Sequence, residues 1–253
     1  MARSVLLTGA GSGFGRGAAV ELARRGHTVI ATTFSQAEAD DLATAHPELT
    51  TAKLDITDPD DRRQVEQWQV DVLVNNAGLG QVGPLRSIPL EHIRRVFETN
   101  LFGTLAMSQA VIPQMFERRS GRILILSSIA GVRAGPMTGP YSMTKHSLQA
   151  MGSAMRAELA PAGIDVALVN PGPFATGFND RMVDDPGDWF DRDEARPEEL
   201  QFLEGARQRI TIGQLDPTEV VQTIADLVEA DETALVNFVP PDVLARLGAD
   251  QKH

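Results

Sequence analysis

The chain contains no cysteine in 253 residues. That removes disulfides, thiolate metal sites and thiol nucleophiles together, and leaves the redox compartment unreadable from bridges. Cations are the minority: 23 Lys and Arg stand against 34 Asp and Glu, for a net charge of −11. A surface of that sign repels phosphate backbones and anionic lipid, so nucleic-acid and membrane-surface roles are disfavoured. The arginine pairs at 24–25, 62–63, 94–95 and 118–119 read as solvated helix faces. No apolar run is long enough to span a bilayer. The opening MARSVLLTGAG has too short an apolar run for a secretory leader, which makes the cytoplasm the expected location. The five His, at 27, 46, 92, 146 and 253, lack ligand spacing, so no metal site is expected. Aromatic residues are also scarce, with two Trp and a single Tyr.

Hydrophobic residues make up 42% of the chain, enough for a sizeable core. Short apolar, β-branched runs (SVLLT, TVIATT, TTAKLDI, VDVLVNNAG) alternate with amphipathic stretches such as FGRGAAVELARRG and SQAEADDLATAH. Strand, helix, strand, helix predicts an α/β fold: one doubly wound parallel sheet with helices on both faces, built by right-handed crossovers. RILILSS and IDVALVNPG continue the sheet, and the unbroken apolar character of ILIL and VALV suits central strands covered on both sides. Longer helices are expected over about 104–119, 140–160 and 217–229. Pro113 should kink or break the first of these, and Pro140 suits the first turn of the second. With no repeat, linker or second core pattern, residues 1–253 read as one domain. The acidic segment 177–213, broken by Pro and Gly and carrying Trp189–Phe190, reads either as a solvated loop or as a lid after the sixth strand. The aromatic pair favours the lid.

LLTGAGSGFGRG follows the first strand and opens the first helix. Gly9, Gly13 and Gly15 let the backbone turn tightly and approach a pyrophosphate, which would face the free N–H groups of the helix start. The spacing is T-G-x-x-x-G-x-G. Read together with NNAG at 75–78, it resembles the short-chain dehydrogenase/reductase family, and in particular its hydroxysteroid-dehydrogenase-like members. The resemblance covers nearly the whole chain through Thr8-Gly9, Gly13-Phe14-Gly15, Asp55, Asn75-Asn76-Ala77-Gly78, Asn100, Ser128, Tyr141, Lys145, and Pro171-Gly172 with Thr176. Two departures are visible. Phe14 stands where the family usually has Ile or Leu, and the segment from Asp55 to Asp71 is short, implying a stunted crossover helix.

The resemblance implies a Rossmann-like fold that binds a dinucleotide and transfers hydride between it and a secondary alcohol or ketone. Tyr141 and Lys145, four apart, share a helical face. A free phenol has a pKa near 10. A neighbouring ammonium and the positive end of the helix would both draw it down towards use as general acid and base. Ser128, thirteen positions before Tyr141, matches the family's catalytic serine, whereas Ser127 does not. Asn100 matches the Asn that holds a relay water through Lys145. Cofactor contacts are expected from Gly9, Ser12, Gly13, Phe14, Gly15, Thr32, Thr33, Asp55, Ile56, Asn76, Ala77, Gly78, Tyr141, Lys145, Pro171, Gly172 and Thr176. Asp55 reads equally well as an adenine contact or a strand-end cap.

After the second strand stand Thr32, Thr33, Phe34 and Ser35, without the acid that would repel a 2′-phosphate. Hydroxyls there could coordinate a phosphate, so the expected cofactor is NADP, with NAD as the alternative. The substrate is expected to be an apolar small-molecule alcohol or carbonyl compound, such as a steroid-like or terpenoid one, since the stretches GLGQVGP and IAGVRAGPMTGP near the site are Gly-rich and apolar. The resemblance further implies a homodimer or homotetramer through the helices near 104–119 and 141–160. A protein of the same fold that senses dinucleotides without turnover is the alternative function; the complete Asn–Ser–Tyr–Lys set weighs against it.

Overall fold

The computed structural model describes residues 1–184, 186 and 189–245. Among them seven strands form one parallel sheet in the order β3-β2-β1-β4-β5-β6-β7. The strands are β1 (Ser4–Thr8), β2 (Thr28–Thr33), β3 (Thr50–Lys53), β4 (Val72–Asn75), β5 (Gly121–Leu126), β6 (Ile164–Pro171) and β7 (Val236–Val239). Between them run α1 (Gly13–Arg24), α2 (Gln36–Ala45), α3 (Pro59–Arg62), α4 (Leu90–Phe97), α5 (Thr104–Arg118), α6 (Gly139–Leu159), α7 (Phe178–Asp184), α8 (Pro197–Thr211) and α9 (Thr218–Glu229).

Each central strand sends alternate side chains to opposite faces, and both faces are buried. Val5, Leu7, Val74, Leu124 and Val169 pack with Ala18 and Leu22 of α1 and Val220 and Ile224 of α9. Leu6, Leu73, Ile123, Ile125 and Leu168 pack with Met107 and Val111 of α5 and Leu148 and Met155 of α6. This double covering explains the unbroken apolar runs of the central strands. After β1 the chain moves outward through β2 and β3, then returns to the other side of β1 as β4. The order therefore reverses between β1 and β4, and a crevice opens beyond the carboxyl ends of the strands at that point.

The crossover after β3 is stunted, as the short segment from Asp55 to Asp71 implied: it holds only the four-residue α3 and a 3₁₀ turn over Arg63–Gln67. Other details depart from the sequence pattern. The chain enters α5 from α4 through a π-helical turn, Glu98–Gly103, and α5 then runs unbroken through Pro113. β7 was not foreseen, because VNFV is a four-residue edge strand too short to show a pattern. Segment 177–213 contains α7 and α8. Their residues Met182, Val183, Leu203 and Ala206 form a separate apolar cluster with Val82 and Met137. No helix among the described residues is long and apolar enough to cross a membrane.

Arg122, at the start of β5, is 4% exposed. Its guanidinium donates to the carbonyls of Leu227 (2.6 Å) and Ala230 (2.7 Å) at the end of α9, to Asp231 (3.2 Å), and to the Asp165 carboxylate (3.0 Å). One side chain thus closes the carboxyl end of α9 against the sheet, supplying donors to carbonyls that have no helical partner. Replacing Arg122 with Met would leave those carbonyls buried and unpaired. The variant is expected to lose about 3 kcal/mol in urea unfolding, with α9 losing amide-exchange protection first.

Candidate active site

The crevice begins as a clamp between β1 and β4. The Asn76 amide donates to the carbonyls of Thr8 and Gly9, both at 3.0 Å. The Thr8 hydroxyl in return accepts from the backbone N–H groups of Asn76 and Ala77, both at 3.1 Å. Gly9 (φ +70°) and Gly13 (φ +54°) lie in the left-handed region, and a Cβ on Gly15 would fall 2.2 Å from the Gly9 oxygen. These glycines shape the turn; Gly15 acts by packing beneath it and does not line the crevice. Ser12, at the N-cap of α1, makes no side-chain cap. The first N–H groups of α1 therefore remain available to an anion.

The crevice encloses about 700 Å³, within the range of small-molecule and cofactor sites. Gly9, Ser12, Gly13 and Phe14 line it from the glycine loop, Asp55 and Ile56 from the end of β3, and Asn76, Ala77 and Gly78 from the end of β4. Ser128, Tyr141 and Lys145 line the opposite part, with Pro171, Gly172 and Thr176 following β6. Phe14 packs edge-on against Phe174 at 5.7 Å, which accommodates its bulk. A shaped groove, left-handed glycines and an uncapped helix start suit a pyrophosphate-linked dinucleotide. Asp55 Oδ1 also accepts from the Thr57 N–H and hydroxyl, at 2.8 and 2.7 Å, so it lines the crevice and caps its own turn at once.

Thr32 and Thr33 behave otherwise than expected. Thr32 is fully buried and donates to the Leu7 carbonyl, while Thr33 is 1% exposed and donates to the Ser35 carbonyl. Neither lines the crevice, because the end of β2 is enclosed by its neighbouring strands. The Asn100 side chain is engaged within the protein. Its Nδ2 donates to the Leu79 carbonyl (2.9 Å) and the Thr144 hydroxyl (3.0 Å), and its Oδ1 accepts from the Leu79 N–H (2.7 Å). Both amide hydrogens are consumed, so the side chain ties the π-helical turn to the loop after β4 and to α6.

Tyr141 stands in the first turn of α6. Ser128 follows β5, its hydroxyl bonding to the phenol and accepting from the Ala130 N–H. Lys145 is 5% exposed; its Nζ lies 5.5 Å from the centre of the Tyr141 ring and donates to the Leu126 carbonyl at 2.7 Å. Burial pushes the phenol above its ordinary value, against the smaller opposing effect of Ser128. Burial also brings the Lys145 ammonium down to about 7. The expectation that the ammonium would draw the phenol down is therefore not met: desolvation outweighs the neighbouring charge. Phe178 closes over the ring at 5.8 Å.

Residues 3–187 match the sequence profile of the short chain dehydrogenase family. The chain belongs to that family. Human retinol dehydrogenase 8 is 33% identical over 256 residues, a match covering 92% of this chain and 80% of the relative. Human 17-beta-hydroxysteroid dehydrogenase type 1 is 32% identical over 257 residues, covering 94% and 78%. A short-chain dehydrogenase from Streptomyces avermitilis superposes with a TM-score of 0.84 at 31% identity, covering 99% of this chain and 93% of that one. This short-chain dehydrogenase is accordingly an oxidoreductase with the Rossmann-like sheet of its family. Its crevice also contains residues that sequence spacing did not single out, among them Glu38, Leu79, Arg95 and Arg181; Gly11, an unassigned position of the glycine motif, lines it as well.

The buried lysine has a measurable consequence. Between about pH 7 and 10.5 the unfolded chain holds the Lys145 proton and the folded chain does not. Folding stability from this group therefore rises with pH across that window. Relative to Lys145→Met, the wild-type protein is expected to gain up to about 1 kcal/mol per pH unit in chemical denaturation between pH 7 and 10.

Proposed function

We propose that this short-chain dehydrogenase interconverts a secondary alcohol and a ketone by hydride transfer with a nicotinamide dinucleotide, NAD(P), and that Tyr141 is its general acid and base. The reading rests on one observation: Ser128, Tyr141 and Lys145, carried by the loop after β5 and by α6, open onto the same crevice as the glycine loop. A bound nicotinamide supplies or accepts the hydride. The glycine loop and the start of α1 would hold the pyrophosphate, and Lys145, with Gly172 and Thr176, the nicotinamide end.

In the oxidising direction the phenol first gives up its own proton, which the neutral form of Lys145 can take; the resulting phenolate oxygen accepts the alcohol proton, and Ser128 holds the substrate oxygen in place. In the reducing direction the phenol, kept protonated by burial, donates its proton to the developing alkoxide. Lys145, with its pKa near 7, stands close enough to exchange a proton with solvent through the site at neutral pH. Asn100 holds the loop after β4 and the first turn of α6 in register. Segment 177–213 serves as the lid: Met182, Val183 and Leu203 meet Val82 and Met137 with Tyr141 and Phe178 packed alongside. Such walls favour an apolar substrate, and relatives named for retinol and for hydroxysteroids support a bulky apolar alcohol of steroid-like or terpenoid kind. Exposed Phe102, Phe116 and Met143, on or beside α5 and α6, support pairing of two or four chains through those helices.

The decisive variant is Tyr141→Phe. Its turnover on apolar secondary alcohols and ketones is expected to fall by about three orders of magnitude, with dinucleotide binding changed less than threefold in calorimetric titration. A variant that keeps most of its rate would overturn the assignment. Dinucleotide binding by the wild-type chain without turnover of any such substrate would favour a sensor in its place.

A further inference from the structure

The nucleotide end of the crevice contains a charge that the sequence pattern did not reveal. Glu38 lies three residues inside α2, well past the end of β2, where an acid is usually sought. Its carboxylate nevertheless lines the crevice together with Gly11, Ser12 and Phe34. A Cβ placed on Gly11 would stand 3.2 Å from both Cδ and Oε1 of Glu38, so the carboxylate lies directly against the glycine loop. Oε2 accepts from the Ser35 N–H at 3.1 Å, and the Ser35 hydroxyl accepts from the Glu38 N–H at 3.2 Å. This reciprocal pair is a capping box, and it fixes the direction of the side chain. It occupies one carboxylate oxygen and leaves Oε1 with no protein donor among the described residues.

The surroundings offer no countercharge at that position. The basic residues lining the crevice, Arg95, Arg181 and Lys145, belong to α4, α7 and α6. The hydroxyls of Thr32 and Thr33, which could have met a phosphate, donate to backbone carbonyls, of Leu7 in β1 and of Ser35 in the turn after β2. In this fold the ribose of the adenosine half lies between the glycine loop and the residues after β2, where a carboxylate about 20 residues beyond the loop accepts from the ribose 2′-hydroxyl. Glu38 stands at that separation and on that side. We propose that Glu38 is the specificity-determining residue of the nucleotide subsite: it accepts a hydrogen bond from a free ribose 2′-hydroxyl, repels a 2′-phosphate, and makes NAD the preferred cofactor over NADP. This rests on the dinucleotide reading above and narrows it to one of the two cofactors.

Glutamine serves the capping box as well as glutamate does, so Glu38→Gln removes the charge and keeps the local fold. Calorimetric titration of NAD+ and NADP+ into the wild-type chain is expected to show NAD+ binding roughly tenfold tighter or more. In Glu38→Gln the ratio should shrink by roughly tenfold, chiefly through tighter NADP+ binding, at an unchanged melting temperature. Glu38→Arg should invert the preference. Equal or tighter binding of NADP+ by the wild type, or an unchanged ratio in Glu38→Gln, would overturn the proposal. A chain that bound neither nucleotide would defeat the dinucleotide reading itself, an outcome distinct from either of these.

Discussion

The Asn76 amide, donating to two successive carbonyls of the glycine loop, is the contact on which the rest of the crevice depends. At the point where strand order reverses, β1 and β4 diverge from their ladder and leave backbone groups that must find partners. Asn76 and the Thr8 hydroxyl satisfy those groups across the gap. They hold the loop at the height where α1 presents its free N–H groups. Without that clamp the glycines would supply flexibility and no shape. The same asparagine motif leads on to Gly78 and Leu79, whose backbone is gripped by Asn100. The nucleotide side and the catalytic side are therefore joined by one continuous hydrogen-bonded path.

Burial governs the chemistry at the other end. A lysine and a tyrosine brought together under an apolar cover do not simply attract a proton from one to the other. Both shift towards their neutral forms, because the cost of a buried charge exceeds what a nearby partner returns at this distance. A neutral acid beside a lysine that titrates near neutrality is suited to passing protons in either direction. The Leu126 carbonyl, accepting from Nζ, fixes where that lysine sits.

The parts of this site that were legible in the sequence are those set by local spacing. Gly9, Gly13 and Gly15 mark a strand-to-helix turn wherever they occur in that order, and Tyr141 and Lys145 share a helical face by periodicity alone. The central strands declared themselves because both of their faces are covered. What escaped depends on neighbours distant in the chain. The Thr32 and Thr33 hydroxyls look available until β1 and β3 enclose them. The Asn100 amide looks available until the loop after β4 and α6 arrive to engage it. The upward shift of Tyr141 follows from its burial, in a pocket to which Phe178, nearly forty positions further on, contributes a ring contact. Glu38 belongs to an S-x-x-E capping pattern that marks a helix start; that its carboxylate lies against Gly11 appears only once the loop is folded beside it.

The seven-residue helix α7 borders two compartments. On one side Phe178, Asn179 and Arg181 face the nucleotide crevice; on the other Met182 and Val183 sit in the apolar cluster against Val82 and Met137. Two turns of helix therefore supply wall to both spaces at once. On the reading proposed above, a substitution along α7 reaches the carrier's groove and the apolar chamber together, which ties the choice of reactant to the grip on its redox partner.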